Sequence, residues 1–336
     1  MQSSKRIPRG ARRPVELSSL NLVAISANGP EVAPALIQPT IPDVDLASWA
    51  AGNRDRIDIE LLQSGALLFR GFELPTVADF ERAAAAIDPS LYGGYGDLPR
   101  EGASDKIYES TPYPADQPIL FHNESSHLSK WPMRIMFYCS IPPHQGGETP
   151  LVDCREICRR LDPDVFARFR EKGLRYIRNF SRGLDVSWQQ FFQTDDRTKV
   201  ETACRDGGMA LEWTHSDGLR ISQPAVAVAN HPATGEELFF NQIQLHHPYF
   251  LQAAVRESLQ SLFAPEELPR NVLYGDGTPI EDAVARHVLD VYWETSVASP
   301  WQQGDIIMVD NMLTAHARNP FVGPRKIAVA MAQVPE

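Results

Sequence analysis

From residue 209 to the C-terminus the chain is cut into short apolar runs divided by turn chemistry: "MALEWT", "AVAVAN", "EELFFN", "DIIMVDN" and "KIAVAMAQV". Runs of this length bury their faces as strands, since a helix needs more residues to do so. "NHPATGEE" stands between two of them and carries the Asn, Pro and Gly of a hairpin turn. Upstream, "PILFHNE", "MRIMFYCSI" and "GGETPLVD" read the same way, and "NLVAISA" and "ALLFRGF" add candidate strands. Helical periodicity is found over "DLASWAAGNRDRIDIELLQSG", ending at Gly65, and over "TVADFERAAAAI", with Thr76 as N-cap. It recurs over 153–173, 195–207, 249–263 and 279–293. Residues 30–43 and 92–118, spaced by proline and glycine, read as loop. Strands and helices do not alternate regularly, which argues against a parallel α/β sheet. The pattern predicts a mainly β chain with helical decoration, a sandwich or jelly roll.

Composition limits the function. A net charge of −11 argues against general nucleic-acid binding, which needs a broad basic surface. No apolar stretch approaches the roughly 18 residues of a membrane span. The N-terminal "MQSSKRIPRGARRP" has five basic residues and no apolar core, so it is not read as a secretory signal. The four cysteines form no CxxC pair and are expected as reduced thiols, which places the chain in the cytoplasm. Residues 1–16 are expected to form a flexible basic arm. Residues 17–336 are expected to form one domain, with a helical insertion near 153–207. Homo-oligomerisation is left open.

Acidic residues are about one in eight of the chain (43 of 336). With nine histidines, roughly one His-x-acid triplet is then expected by accident. Two occur: His122-Asn123-Glu124 and His215-Ser216-Asp217. The second lies in "THSDGL", a turn signature. The first follows an apolar strand, where residues i and i+2 share a face. Further on come "GGETP" and "GDIIMVDNMLTAHARNPFVGPRKIAVAM", which puts His316 between two buried-looking strands with arginines behind it. Two imidazoles and a carboxylate on one face of a metal are the ligand set of a non-haem Fe(II) oxygenase. Three protein ligands leave three adjacent positions for a chelating co-substrate and O₂, and a deeper arginine would pair with a distant carboxylate.

The order of these pieces, from "GALLFRGF" through "FHNE", "GGETP" and "HPATGEELFFNQ" to "DNMLTAHARNPFVGPRKIAVAM", resembles the taurine dioxygenase/TfdA-like superfamily. Those enzymes use Fe(II), 2-oxoglutarate and O₂ on a double-stranded β-helix. The resemblance implies His122, Glu124 and His316 as iron ligands. It implies Thr149 at the 2-oxoglutarate carboxylate nearer the metal and Arg325 at the far one. Lys326 takes that place if the strand register shifts by one, and Arg318 is a second anion contact or a surface residue. Many members have Asp where this chain has Glu124; clavaminate synthase-like enzymes share the glutamate. Retention of that carboxylate implies hydroxylation rather than halogenation.

The pattern looks most like the syringomycin-type branch of non-ribosomal peptide pathways. This implies β-hydroxylation of a free amino acid or of an aminoacyl group on a carrier protein, with epoxidation or desaturation as the rival outcome. Residues flanking the ligands, Tyr108, Ser110, Ser125, His127 and Asn241, are candidates for substrate contact, each with a packing role as its alternative. A zinc hydrolase would use the same three ligands without Thr149 or Arg325. A non-catalytic binding module would need none of them.

Overall fold

Alternation within "KIAVAMA" shows how the main sheet works. In the strand Lys326–Ala332 the large residues Ile327, Val329 and Met331 face one core cluster, and the small Ala328, Ala330 and Ala332 face another. Strand Arg134–Ile141 divides in the same way, Ile135 to the first side, Met136 and Tyr138 to the second. Period-two side-chain direction makes both assignments at once. Small residues on the second face let helix Val77–Ile87 settle on the sheet, where Phe80 stacks on Tyr138 at 4.9 Å between ring centroids. That helix begins at Thr76 as expected, with a capping box closed by Asp79.

The computed structural model describes residues 22–26, 34–93, 106–110, 113–180 and 186–333. The main sheet has seven strands in the order Val23–Ser26, Ala35–Pro39, Ala66–Phe69, Ile306–Asp310, Arg134–Ile141, Lys326–Ala332, Ile107–Glu109. Opposite lies a smaller sheet in which Thr314–Arg318 pairs with Ile119–His122 on one side and Leu151–Asp153 on the other. Ile135, Phe137, Ile327, Val329 and Met331 of the first sheet and Ile119, His122 and His316 of the second line one cavity between them. This is a double-stranded β-helix, the jelly roll predicted from the run lengths, with helices packed on its outer faces.

Several expectations are corrected. Residues 153–207 are not a purely helical insertion. Helices Cys154–Arg160, Pro163–Lys172, Trp188–Phe192 and Arg197–Asp206 are present, but Leu174–Phe180 is a strand. Its sequence "LRYIRNF" is buried at all positions but the two arginines, as befits the inner strand of a four-stranded sheet with Ala210–Thr214, Gly218–Ala225 and Arg270–Tyr274. The expected loops contain strands Ala35–Pro39 and Ile107–Glu109, each completed by ladder partners distant in sequence. The "NHPATGEE" hairpin forms as read, joining Val228–Asn230 to Glu237–Phe239. None of the four cysteines is in a disulfide. Among the described residues no helix is long and apolar enough to cross a membrane. The basic arm, residues 1–16, lies outside the described residues.

Candidate metal and co-substrate site

His122 is the last residue of strand Ile119–His122, and His316 is the middle residue of Thr314–Arg318. The ladder sets them directly opposite each other, and their rings lie 4.3 Å apart between centroids. His316 is thus on a strand rather than between two. Glu124 is also placed differently from the expectation. It sits in the turn after the strand, so a shared strand face is not what brings it to His122. Its Oε1 accepts the Ser125 backbone N–H at 3.1 Å, and its Oε2 lies 3.7 Å from His122 Nε2. Ser125 makes this turn by taking a left-handed backbone (φ 57°).

One ligand atom from each of His122, Glu124 and His316 falls within 4.8 Å of the others. His122 Nδ1 lies 2.8 Å from the Leu120 carbonyl, to which it donates, leaving Nε2 with its lone pair toward Glu124. Burial, then the neighbouring His122, push His316 down to about 3, so its imidazole is neutral and able to bind a cation. Its Nδ1 is buried without a hydrogen-bond partner. Two imidazoles and a carboxylate converging from one side fit an Fe(II) ion with open positions opposite.

The cavity runs from this cluster past Thr149 to Arg325 and Arg318. "GGETP" is zipped to the residues after His316: Gly147 N–H donates to the Pro320 carbonyl and Asn319 N–H to the Glu148 carbonyl. Arg325 Nε donates to the Gly147 carbonyl at 2.9 Å. Burial first and Arg318 second lower Arg325 to about 10. Two guanidinium groups against an apolar wall call for a counter-anion, and the chemistry of this end of the cavity fits a carboxylate. Arg318 is buried, and its terminal nitrogens donate to the carbonyls of Tyr113, Pro114 and Gln117. It therefore ties the 113–117 segment to the strand that carries His316. Lys326 is exposed and lies outside the cavity lining.

Of the residues proposed for substrate contact, Ser110 lines the cavity. Tyr108 does not: it is fully buried in the core and its hydroxyl donates to the Tyr92 carbonyl at 3.2 Å. Ser125 supports Glu124 from behind. Asn241 is buried; its carbonyl accepts the Asn123 N–H and its own N–H donates to Asn123 Oδ1. His127 sits edge-on to Tyr176 and beside His246, with ring centroids 5.8 Å and 5.3 Å away. Burial lowers it to about 4, against the pull of Glu124 and helped by Arg178 and Arg270. The other triplet, His215-Ser216-Asp217, forms a short turn whose Asp217 pairs with Arg197 at 2.6 Å.

A jelly roll with this triad at one end of its cavity and a buried arginine at the other defines a non-haem Fe(II)/2-oxoglutarate-dependent dioxygenase. The family model described as taurine catabolism dioxygenase TauD, TfdA family matches residues 31–331, and the chain belongs to that family. It is 37% identical over 276 residues to the dapdiamide synthesis protein DdaC of Enterobacter agglomerans, covering 82% of this chain and 84% of that protein. A clavaminate synthase-like protein of Arabidopsis thaliana is 31% identical over 294 residues, with coverage of 82% and 84%. Among solved structures, PvcB from Pseudomonas aeruginosa superposes with a TM-score of 0.52 at 13% identity, covering 90% of this chain and 86% of that one.

Proposed function

We propose that this dioxygenase hydroxylates an unactivated C–H, the β-carbon of an amino acid or of a carrier-bound aminoacyl group, in natural-product assembly. The observation that carries the reading is the single cavity joining His122, Glu124 and His316 to Thr149 and Arg325. A hydrolase would have no use for its far, cationic end. Fe(II) bound there supplies O₂ activation coupled to conversion of 2-oxoglutarate into succinate and CO₂. The roles of the chain's own residues are to bind and orient. His122, Glu124 and His316 hold the ion from one side. Arg325 and Thr149 anchor the two ends of the co-substrate, and Ile135, Phe137, Ile327, Val329 and Met331 keep bulk water from it. Similarity to a dapdiamide synthesis protein supports a role in making a small amino-acid-derived product.

The test has two stages. Anaerobic titration with Fe(II) and 2-oxoglutarate should give a weak visible charge-transfer band that is lost in His122→Ala and His316→Ala. Uptake of zinc with no such band would overturn the dioxygenase reading. Free and carrier-tethered amino acids are then screened for succinate release and product mass. Gain of one oxygen on a saturated substrate supports hydroxylation; loss of two hydrogens, or oxygen gained only on an alkene, replaces it with desaturation or epoxidation.

A further inference from the structure

Beside the ligands lies a buried polar network built on a pair of asparagines, Asn123 and Asn311, both fully shielded from solvent. Asn123 lies between the ligands His122 and Glu124. Asn311 precedes His316 by five residues. The Asn311 side chain grips Glu124 by its backbone: Oδ1 accepts the Glu124 N–H at 2.7 Å, and Nδ2 donates to the Glu124 carbonyl at 2.9 Å. The second Nδ2 hydrogen goes to the Pro132 carbonyl at 2.8 Å. Asn123 returns the contact, its Nδ2 donating to the Asn311 carbonyl at 2.7 Å. Its Oδ1 accepts from Asn241 N–H at 3.2 Å. Both Nδ2 hydrogens of Asn311 are thus placed, and all these bonds are made inside the protein, where an unmade one is costly.

Glu124 is the one ligand not carried by a strand. Its turn therefore needs some other device to hold it against the strand of His316. We infer that Asn311 is a positioning residue for the metal centre: it fixes the Glu124 backbone before any ion arrives and ties the carboxylate ligand to the His316 strand. This rests on the iron site proposed above. Partners that orient ligands in this way change metal affinity ten- to a hundredfold when removed.

The test reads metal binding, without turnover. Asn311→Asp is isosteric, keeps an acceptor for the Glu124 N–H and loses both Nδ2 donations. Asn271→Asp is the control, because Asn271 is also buried, accepting from Val272 N–H and donating to the Pro265 carbonyl in the outer sheet. Anaerobic Fe(II) binding should weaken at least tenfold in Asn311→Asp and stay unchanged in Asn271→Asp, although both lower the melting temperature. Equal Fe(II) affinity in Asn311→Asp and the unaltered protein, or equal weakening in the control, overturns the inference. Failure of the unaltered protein to bind Fe(II) would sink the iron site instead. A measurement on the unaltered chain covers the case in which the variant does not fold: hydrogen exchange at the Glu124 amide should already be slow without metal. Fast exchange that slows only on adding Fe(II) would show that the turn is not pre-set, and would refute the proposal.

Discussion

Arg325 is held by one bond from its Nε, and the space for its side chain exists because residue 147 has no Cβ. A Cβ built there would lie 3.1 Å from Arg325 Cδ, 2.9 Å from Phe321 Cβ and 2.8 Å from Pro143 Cγ, on a backbone at φ +71°. Glycine is required on both counts. Arg325→Ala should raise the 2-oxoglutarate KM by roughly 30-fold or more, as expected for losing a buried charge-assisted pair of about 2 kcal/mol. Gly147→Ala should move KM the same way without touching a ligand, and Lys326→Ala should leave it unchanged. Initial rates at varied 2-oxoglutarate separate the three; a large effect from Lys326→Ala would reverse the assignment.

Among the secondary elements, the hairpin and strand Ile306–Asp310, which leads into the His316 strand, are joined by a buried pair. His231 Nδ1 accepts the N–H groups of Ala233 and Thr234, so the ring proton is on Nε2, which donates to Asp310 Oδ2 at 3.0 Å. Asp310 Oδ1 in turn accepts from Met312 and Leu313 N–H at the start of the turn toward His316. His231→Ala leaves that carboxylate oxygen unpaired and should lower the unfolding free energy by about 2 kcal/mol, read from urea midpoints. The elements that could be read from sequence were those whose burial pattern is local. The apolar strands and the hairpin turn announce themselves, and so do His122 and His316, the proposed ligands, because each adjoins such a strand. "TAHAR" is buried at all five positions and takes ladder partners on both sides, so no in–out pattern marks it as a strand. The hold of Asn311 on Glu124 spans 187 residues and leaves no periodic trace at all.

Across the whole molecule, several histidines are kept neutral by burial. His127 is lowered to about 4, and His246 and His247 are lowered as well. Unfolded, each takes up a proton at a pH of about 6.5; folded, it resists. The unfolded chain then binds more protons below that pH, so stability falls as the solution is acidified. Each group contributes up to about 1.4 kcal/mol per pH unit until its folded value is reached. Urea midpoints of the metal-free protein should drop steadily from neutral pH toward pH of about 4; a flat profile would mean these rings are already wet. We propose that the basic N-terminus steers an acidic carrier protein by long-range attraction, in an otherwise acidic chain. Removing residues 1–14 should slow turnover of a carrier-tethered substrate at low salt and leave a free amino acid unaffected. Equal rates on both would remove the carrier protein as the arm's partner.

The ladder that places His316 opposite His122 has an evolutionary consequence. The imidazole pair is a rung, and shifting it means re-registering a sheet. The carboxylate hangs on a turn tied down by the amide side chains of Asn123, Gln242 and Asn311. Chains built on this plan are therefore free to lengthen, shorten or discard their acidic arm while the rung persists. New chemistries should arise most readily by substitution at position 124, with neighbouring changes at position 311.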